Sequence, residues 1–354
     1  MSTGITSSRK LGMTSNMQKA CIAVCVSIIV VLLGIAIGSV NILPMNVLRI
    51  IGHNVFGLSL SEHVTPAHVA IVWHQRLPRA LLAFIAGASL SVSGAVMQSV
   101  LRNPLASSYT LGVSSGASLG ASLVILMGIS LPFFSALSLP ILGFSFGLAT
   151  ILVVVAIARQ LDIRMENHTI ILTGMVFALF INSITTIMFT FFREGVQNMV
   201  FWQMGTFRLR GWQPVYILFP IVLIGIFFIS RFKWELDVMT FGEEQAQAIG
   251  VNTRRVKLIL LIAAAALTGS TIAFVGVIGF VDLVAPHIVR KIFGAAHRYV
   301  IPMSALVGGI FMVLSDLVAR TVTSPVELPV GAVTAIIGAP FFAYVFFSRR
   351  RKEA

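Results

Sequence analysis

Two carboxylates fall inside apolar stretches of the sequence, where a charged group is costly and is usually paired or functional. Asp316 precedes Arg320 by four positions, so an ion pair on one helix face is the favoured explanation for this acid. Asp282 has no local partner of opposite charge in the sequence. An ion-coupled secondary transporter is therefore one of the alternative functions of the chain, and proton uptake by such an acid would support it. One lone acid does not make a proton relay.

Histidines are concentrated between residues 46 and 79, at His53, His63, His68 and His74. Their spacing does not place two of them at i and i+4 on one helix face, as in a typical metal site. We therefore predict no metal and no cofactor. The sequence also has no Asp-Asp-x-x-Asp cluster and no Ser/His/Asp set within one soluble segment, so the chain is not predicted to be an enzyme.

The composition is that of an integral membrane protein. Of the 354 residues, 57% are hydrophobic and 10% are charged, whereas soluble domains carry roughly 25% charged residues. The net charge of +13 would suggest nucleic acid in a soluble chain, but no stacking aromatics interleave with a basic stretch. We predict an all-α, polytopic membrane bundle with no nucleic-acid partner.

About ten apolar segments are long enough to be membrane helices. A single domain of ten helices is predicted over 20–348, between tails at 1–19 and 349–354. The seventh and eighth segments share a stretch that is barely long enough for two full spans and could contain a half-length helix. The segments are 20–40, 80–101, 109–127, 139–158, 169–192, 215–230, 258–274, 275–289, 300–319 and 330–347.

The distribution of basic residues predicts the orientation. Ten crossings place both termini on one side, together with the longest insertion, 231–257. That side holds 18 of the 25 basic residues. Because cytoplasmic loops carry the excess of Lys and Arg, we predict a multi-pass protein of the cell membrane with both termini in the cytoplasm.

The insertion 231–257 contains a short amphipathic segment that ends at a glycine. Acids at its start and Gly250 at its end suit an exposed helix with a glycine C-cap. One interpretation is an ordinary interfacial helix. The other is a coupling helix that docks on a cytoplasmic ATPase, because Glu244, Ala246 and Gly250 form the Glu-x-Ala-x-x-x-Gly pattern that resembles ABC importer permeases.

A series of motifs from residue 76 onward resembles the FecCD-type permeases, the membrane subunits of ABC importers for iron-siderophore complexes, haem and vitamin B12. The resemblance covers nearly the whole chain in order. Asp282 departs from it, since the family usually has a small residue there. The motifs are RLPR at 76–79, GASLSVSGAVMQ at 87–98, NPLA at 103–106, LGVSSGA at 111–117, GFVDLVAPHIVR at 279–290, HR at 297–298, DLVAR at 316–320, ELPVG at 327–331 and IGAP at 337–340.

The resemblance implies a fold like that of the vitamin B12 permease and a set of partners. The subunit would pair with itself or with a sister permease around a central pore, with two ATPase subunits on the cytoplasmic side. A binding protein would deliver cargo from the other side. The sequence itself has no Gly-x-x-x-x-Gly-Lys-[Ser/Thr] phosphate loop, so ATP hydrolysis is expected on another chain.

The resemblance also implies functional residues. The binding protein would dock on Arg76, Arg79 and Arg320. The cytoplasmic gate would be formed by the Asn-Pro-Leu loop and by the loop before the fifth helix, which match Asn103, Leu105, Asn167 and His168.

The pore itself is predicted from helical spacing. Met175, Leu179, Asn182 and Thr186 share one face of the fifth segment, and this mixed face suits a bulky, partly apolar cargo. The alternative is that the face only packs against a neighbouring helix. A ferric siderophore is the favoured cargo for an importer of this kind, and haem and vitamin B12 are the alternatives within the family.

Overall fold

The computed structural model describes residues 3–38, 40–60, 64–162, 165–208 and 210–353. Helices account for most of these residues, and the described ranges contain no β-strand. The helices are α1 Thr3–Ala36, α2 Pro44–Phe56, α3 Pro66–Ala70, α4 Leu77–Val100, α5 Val113–Ile125, α6 Ser138–Leu161, α7 Asn167–Phe191, α8 Val196–Gln203, α9 Gln213–Ser230, α10 Lys233–Met239, α11 Glu243–Ala248, α12 Thr253–Val275, α13 Val281–Phe293, α14 His297–Thr321 and α15 Val330–Glu353.

Among the residues that the structure describes, seven helical stretches are long and apolar enough to cross a membrane. They are α1, the continuous stretch Pro66–Val100 that includes α4, and α6, α7, α9, α12 and α14. The helices α5, α13 and α15 occupy the positions of the other three predicted segments, and the apolar part of α15 is Val330–Tyr344. The prediction of an all-α membrane bundle is confirmed.

The helix α4 forms the centre of the bundle. It continues α3 through one π-helical turn at Ile71–Arg76, so the helix begins well before the predicted start at residue 80. In the stretch Pro66–Val100, 89% of the most apolar window is buried, and α4 packs against α9, α12, α13 and α14. A Cβ at Gly87 would lie 2.1 Å from the Gly308 carbonyl oxygen of α14. This contact therefore needs glycine, as in other closely packed membrane helices.

A break between α12 and α13 explains the short stretch between the seventh and eighth predicted segments. Gly276 and Phe280 both have positive φ, of 81° and 68°. The Val275 carbonyl leaves the helix and accepts a hydrogen bond from the Thr206 amide at 2.8 Å. The chain then re-enters as α13, a helix of 13 residues. The expected half-length helix is therefore present.

The direction of α4 defines two ends of the bundle. We call the end at Val100, where α10 and α11 lie, the insertion end, and the end at Leu77 the arginine end. Lys19 in α1 donates a hydrogen bond to the Ile292 carbonyl near the end of α13 at 3.1 Å. The first turns of the membrane part of α1 therefore lie at the insertion end.

Candidate functional site

The helix α11 has the cap that the sequence predicts. Gly250 has a φ of +92°, and its amide donates to the Gln247 carbonyl at 2.9 Å. The next amide, that of Val251, donates to the Ala246 carbonyl at 3.0 Å. These two bonds form a Schellman motif, which favours glycine at this position. Ala246 is buried, whereas Glu244 is exposed, so α11 presents Glu244 outward from the insertion end.

Large apolar side chains flank α11 on the surface. Phe241 is 79% exposed and Ile249 is 58% exposed. Both lie in an insertion that extends beyond the apolar helices. Apolar side chains exposed beside acidic ones at the end of a bundle are typical of a protein docking surface.

Behind α11, a buried lysine joins three segments of the chain. The Lys257 side chain in α12 is 0% exposed, and its ammonium donates to the Glu243 carboxylate of α11 at 2.8 Å. It also donates to the Asn167 side-chain oxygen at 2.8 Å and to the Met165 carbonyl at 2.9 Å. All three ammonium protons have acceptors, which is the condition for burying this charge. We call Lys257, Glu243, Asn167 and Met165 the lysine node.

A second polar cluster joins the insertion to the end of α4. Asp237 in α10 accepts a hydrogen bond from the His297 amide at 2.8 Å and lies 2.6 Å from His297 Nδ1. His297 Nε2 lies 2.7 Å from the Ser99 hydroxyl. Ser99 is four residues before Asn103, so the insertion is tied to both loops that were predicted to form the gate.

This Ser, His and Asp set joins α4, α10 and α14. The Ser99 hydroxyl donates its proton to the Ala95 carbonyl at 2.9 Å and accepts a hydrogen bond from Arg290 at 3.1 Å. Ser99 is also buried, at 7% exposed, so the set lies within the packing of α4, α10 and α14.

The predicted gate residues line one cavity at the insertion end. Asn103, Asn167 and His168 border a cavity of about 1020 Å³, together with Glu243 and Glu244 of α11. The structure thus brings the gate and coupling predictions into one place. The His168 side chain is 77% exposed and pairs with Glu166 at 3.3 Å. Leu105 lies beside the cavity and is 46% exposed.

The predicted pore residues lie on an uncovered face of α7. Met175 is 48% exposed and Leu179 is 67% exposed. Asn182 and Thr186 are also exposed, and the Thr186 hydroxyl donates to the Asn182 carbonyl at 2.9 Å. No described helix of the same chain covers this face. The face is therefore available to a pore or to another subunit.

At the arginine end, Arg79 is the main partner of Asp316. Its guanidinium donates to both Asp316 oxygens, with Nη2 at 2.9 Å and Nε at 3.1 Å. It also pairs with Glu327 at 3.0 Å. Burial alone would raise the pKa of Glu327. The hydrogen bond from Arg79 and the positive charge of Arg79 lower the pKa by a larger amount, so it lies below its usual value. The sequence favoured Arg320 as the partner of Asp316, but that pair is longer, at 3.7 Å.

The other two predicted docking arginines are held by backbone carbonyls. Arg76 is 6% exposed and donates to the carbonyls of Ile35 at 3.1 Å and Ala36 at 2.9 Å. The Arg320 side chain is 8% exposed and donates to the Gly34 carbonyl. All three arginines line a cavity of about 470 Å³. The exposed Arg208 lines it as well.

Asp282 lies at the start of α13, and its side chain is almost fully buried. The amides of Ser108 and Leu283 approach the carboxylate, but among the described residues neither oxygen has a hydrogen bond with a favourable distance and angle. The nearby Tyr109 hydroxyl is also without a partner among the described residues.

The loop histidines have separate environments. His53 Nδ1 lies 2.6 Å from the Leu58 carbonyl, and His68 closes the capping box of α3 with Thr65. His74 borders the cavity of about 470 Å³ at the arginine end, and His63 lies outside the described residues.

Sequence reasoning missed the residues that connect the predicted ones. Lys257 stands at the edge of an apolar segment and resembles an ordinary positive-inside residue. Asp237 lies in the short helix α10 and Glu327 lies in a loop, and each is far in sequence from its partner. The only available signal was their position: Glu243 and Lys257 flank the coupling pattern at its two ends.

The sequence model of the FecCD transport family matches residues 1–348. An uncharacterised ABC transporter permease protein of Bacillus subtilis is 40% identical and covers 91% of each chain. A Fe(3+)-citrate import system permease protein of the same organism is 35% identical over 92% of this chain and 93% of the relative. A cobalamin import system permease protein of Halobacterium salinarum is 38% identical over 79% of this chain and 74% of the relative.

A solved structure has the same architecture. It is a metal-chelate type ABC transporter in an inward-facing conformation, with a TM-score of 0.79 and 28% identity over 92% of this chain and 97% of the solved chain. These similarities agree with the bundle of apolar helices and with the cavity that two loops border at the insertion end. The chain therefore belongs to the FecCD transport family, and it is a multi-pass membrane permease of an ABC importer.

Proposed function

We propose that this permease imports a ferric siderophore complex, and that it forms the pore between an outer binding protein and two cytoplasmic ATPase subunits. The lysine node carries the proposal. Lys257 bonds directly both to Glu243 on the predicted coupling helix and to Asn167 at the predicted gate. A movement of α11 under an ATPase would therefore displace the gate through contacts shorter than 3 Å.

The cargo is inferred from the relatives and from the α7 face. An iron-citrate permease and a metal-chelate transporter are among the similar proteins, which supports a chelated ferric ion. The mixed face of Met175, Leu179, Asn182 and Thr186 suits the partly apolar shell of a chelate. Haem and cobalamin are the alternatives, since a cobalamin permease is 38% identical.

The docking proposal for Arg76, Arg79 and Arg320 takes a specific form in this structure. The three guanidiniums already bind carbonyls or acids of the same chain, so a docking acid must enter the cavity of about 470 Å³ and compete with Glu327 for Arg79. It would meet Arg208 first, because that side chain is exposed. A carboxylate between several arginines forms strong charge-assisted hydrogen bonds.

Transport by the reconstituted complex tests the function. Proteoliposomes containing the permease and its ATPase should take up a ferric siderophore when the binding protein and ATP are present. The same vesicles with an ion gradient and no ATP should remain empty. Uptake driven by the gradient alone would show a secondary transporter. A binding protein that retains haem or cobalamin but no ferric siderophore would overturn the cargo assignment while leaving the ABC mechanism intact.

A further inference from the structure

A groove runs along the outer side of the bundle between α6, α9 and α12. It encloses about 730 Å³ and is lined by apolar side chains that include Ile141, Phe144, Ile221 and Ile262. Ser270 is the only residue of its lining with a polar side chain, and that hydroxyl already donates to the Leu267 carbonyl at 2.9 Å. The groove therefore offers no free polar group, and its occupant must be a hydrocarbon.

The groove covers much of the membrane depth. Its lining in α12 extends from Ile259 to Phe274, which corresponds to about 22 Å of helix at 1.5 Å per residue. The hydrocarbon core of a bilayer is about 30 Å thick. Gly225 deepens the groove on α9, because a Cβ there would lie 2.5 Å from the Leu267 side chain.

A basic pocket lies at the insertion end of α6 and α12, two of the three helices that line the groove. This second cavity, of about 450 Å³, is bordered by Arg159 at the end of α6 and by Arg254 and Arg255 at the start of α12. The three arginines are exposed. In the part of the chain that the structure describes, none of them forms a salt bridge with an acidic side chain.

The pocket and the groove share helix faces. On α12, Arg255, Ile259, Ile262 and Ala266 are spaced by four, three and four residues, so they form one stripe that passes from the basic pocket into the groove. On α6, Leu152, Val155 and Arg159 of the pocket continue the helical spacing of the groove residues toward the insertion end. A charged site is thus placed at the end of a hydrocarbon site.

We propose that this combined site binds an anionic phospholipid, with an acyl chain in the groove and the phosphate on Arg159, Arg254 and Arg255. Basic pockets between membrane helices bind anionic headgroups in this way. A second copy of the chain would cover the apolar stripe, but with a net charge of +13 the chain is poorly matched to three exposed guanidiniums. The proposal is independent of the cargo, although Arg254 also borders the cavity that holds the predicted gate residues.

Binding of defined lipids to the delipidated protein tests the proposal. Retention of dioleoyl phosphatidylglycerol and of dioleoyl phosphatidylcholine is measured by native mass spectrometry in neutral detergent, and thermal unfolding is followed in parallel. Wild type should prefer phosphatidylglycerol and be stabilised by it. Arg159→Gln/Arg255→Gln should lose about fivefold in affinity for each arginine removed, with phosphatidylcholine binding unchanged. Ala266→Phe, which fills the groove, should weaken both lipids.

Arg298→Gln is the matched control. Arg298 is an exposed arginine at the start of α14, where it stacks on Tyr299 at 4.7 Å, away from the groove. If this variant lost phosphatidylglycerol binding as strongly as the double variant, only a general surface charge effect would be present and the site would be refuted. Equal stabilisation by inorganic phosphate would show a soluble anion site instead of a lipid site. Unchanged lipid binding in the arginine variants, with loss of ATPase assembly, would assign the arginines to that interface and overturn the proposal.

Discussion

At the scale of single residues, Lys257 is the contact through which we propose that the insertion and the gate move together. Lys257→Met should remove three hydrogen bonds and leave the Glu243 carboxylate without its counter-charge. Breaking a buried pair by removing one partner costs about 3 to 5 kcal/mol; because Glu243 is 26% exposed and can be hydrated, we expect about 3 kcal/mol. Thermal unfolding in detergent measures the loss. Lys291→Met, which changes an exposed lysine, is the control, and equal stability of the two variants would contradict the role of the node.

Arg79 and Asp316 form a second residue-scale test. Arg79→Met should destabilise the protein by about 3 to 5 kcal/mol, because a buried carboxylate loses its main partner. Adding Asp316→Asn should restore most of the stability, since the uncompensated charge disappears. A double-mutant cycle on thermal unfolding gives the coupling free energy between Arg79 and Asp316. Strict additivity would mean that Arg320 is a sufficient partner for Asp316.

At the scale of elements, the cap of α11 can be tested apart from the helix itself. Gly250→Pro should abolish transport, because proline fixes φ near −65° and has no amide to donate to Gln247, whereas Gly250 has a φ of +92°. Gly250→Asn is the matched control, because asparagine tolerates positive φ. Expression and membrane insertion should be normal in both. Transport at the wild-type rate in the proline variant would rule out α11 as the coupling helix.

The gate prediction concerns two loops that we expect to face a second subunit. In a homodimer, cysteines at Leu105 or at His168 should crosslink to the same position of the paired chain, in a background without Cys21 and Cys25. Leu161 is the control position. It is 71% exposed at the same end of the bundle, but it is the last residue of α6 and does not lie in a predicted gate loop, so a cysteine there should not crosslink. If neither gate position forms a crosslink in any nucleotide state, the gate lies elsewhere.

The elements differ in how far the sequence could predict them. Apolar periodicity predicted the helices because burial in lipid demands long apolar stretches. The break at Gly276 and Phe280 appeared only as a shortage of residues, since the cause is a pair of positive φ angles. The lysine node could not be predicted at all, because Glu243, Asn167 and Lys257 are brought together by packing between three helices. Motif matching found Asn167, but it carried no information about what holds Asn167 in place.

At the scale of the whole molecule, the two ends of the bundle carry different charges, and this difference predicts how the protein lies in the membrane. The insertion end carries α10, α11, Lys19 and Arg159, whereas the arginine end carries arginines that are mostly paired with acids or carbonyls. The positive-inside rule counts basic residues in short loops. The insertion end, with 18 of the 25 basic residues under ten crossings, should therefore face the cytoplasm.

Thiol labelling in intact cells measures this orientation directly. Single cysteines are introduced at Leu58 and Gln245, whose side chains are exposed at opposite ends of the bundle. With Cys21 and Cys25 replaced by serine, an impermeant maleimide should label Leu58→Cys in intact cells and Gln245→Cys only after permeabilisation. The permeabilised sample is the control for reactivity, because both thiols must react there. Labelling of Gln245→Cys in intact cells would invert the topology, and it would place α11 and the lysine node on the side where no ATPase can reach them.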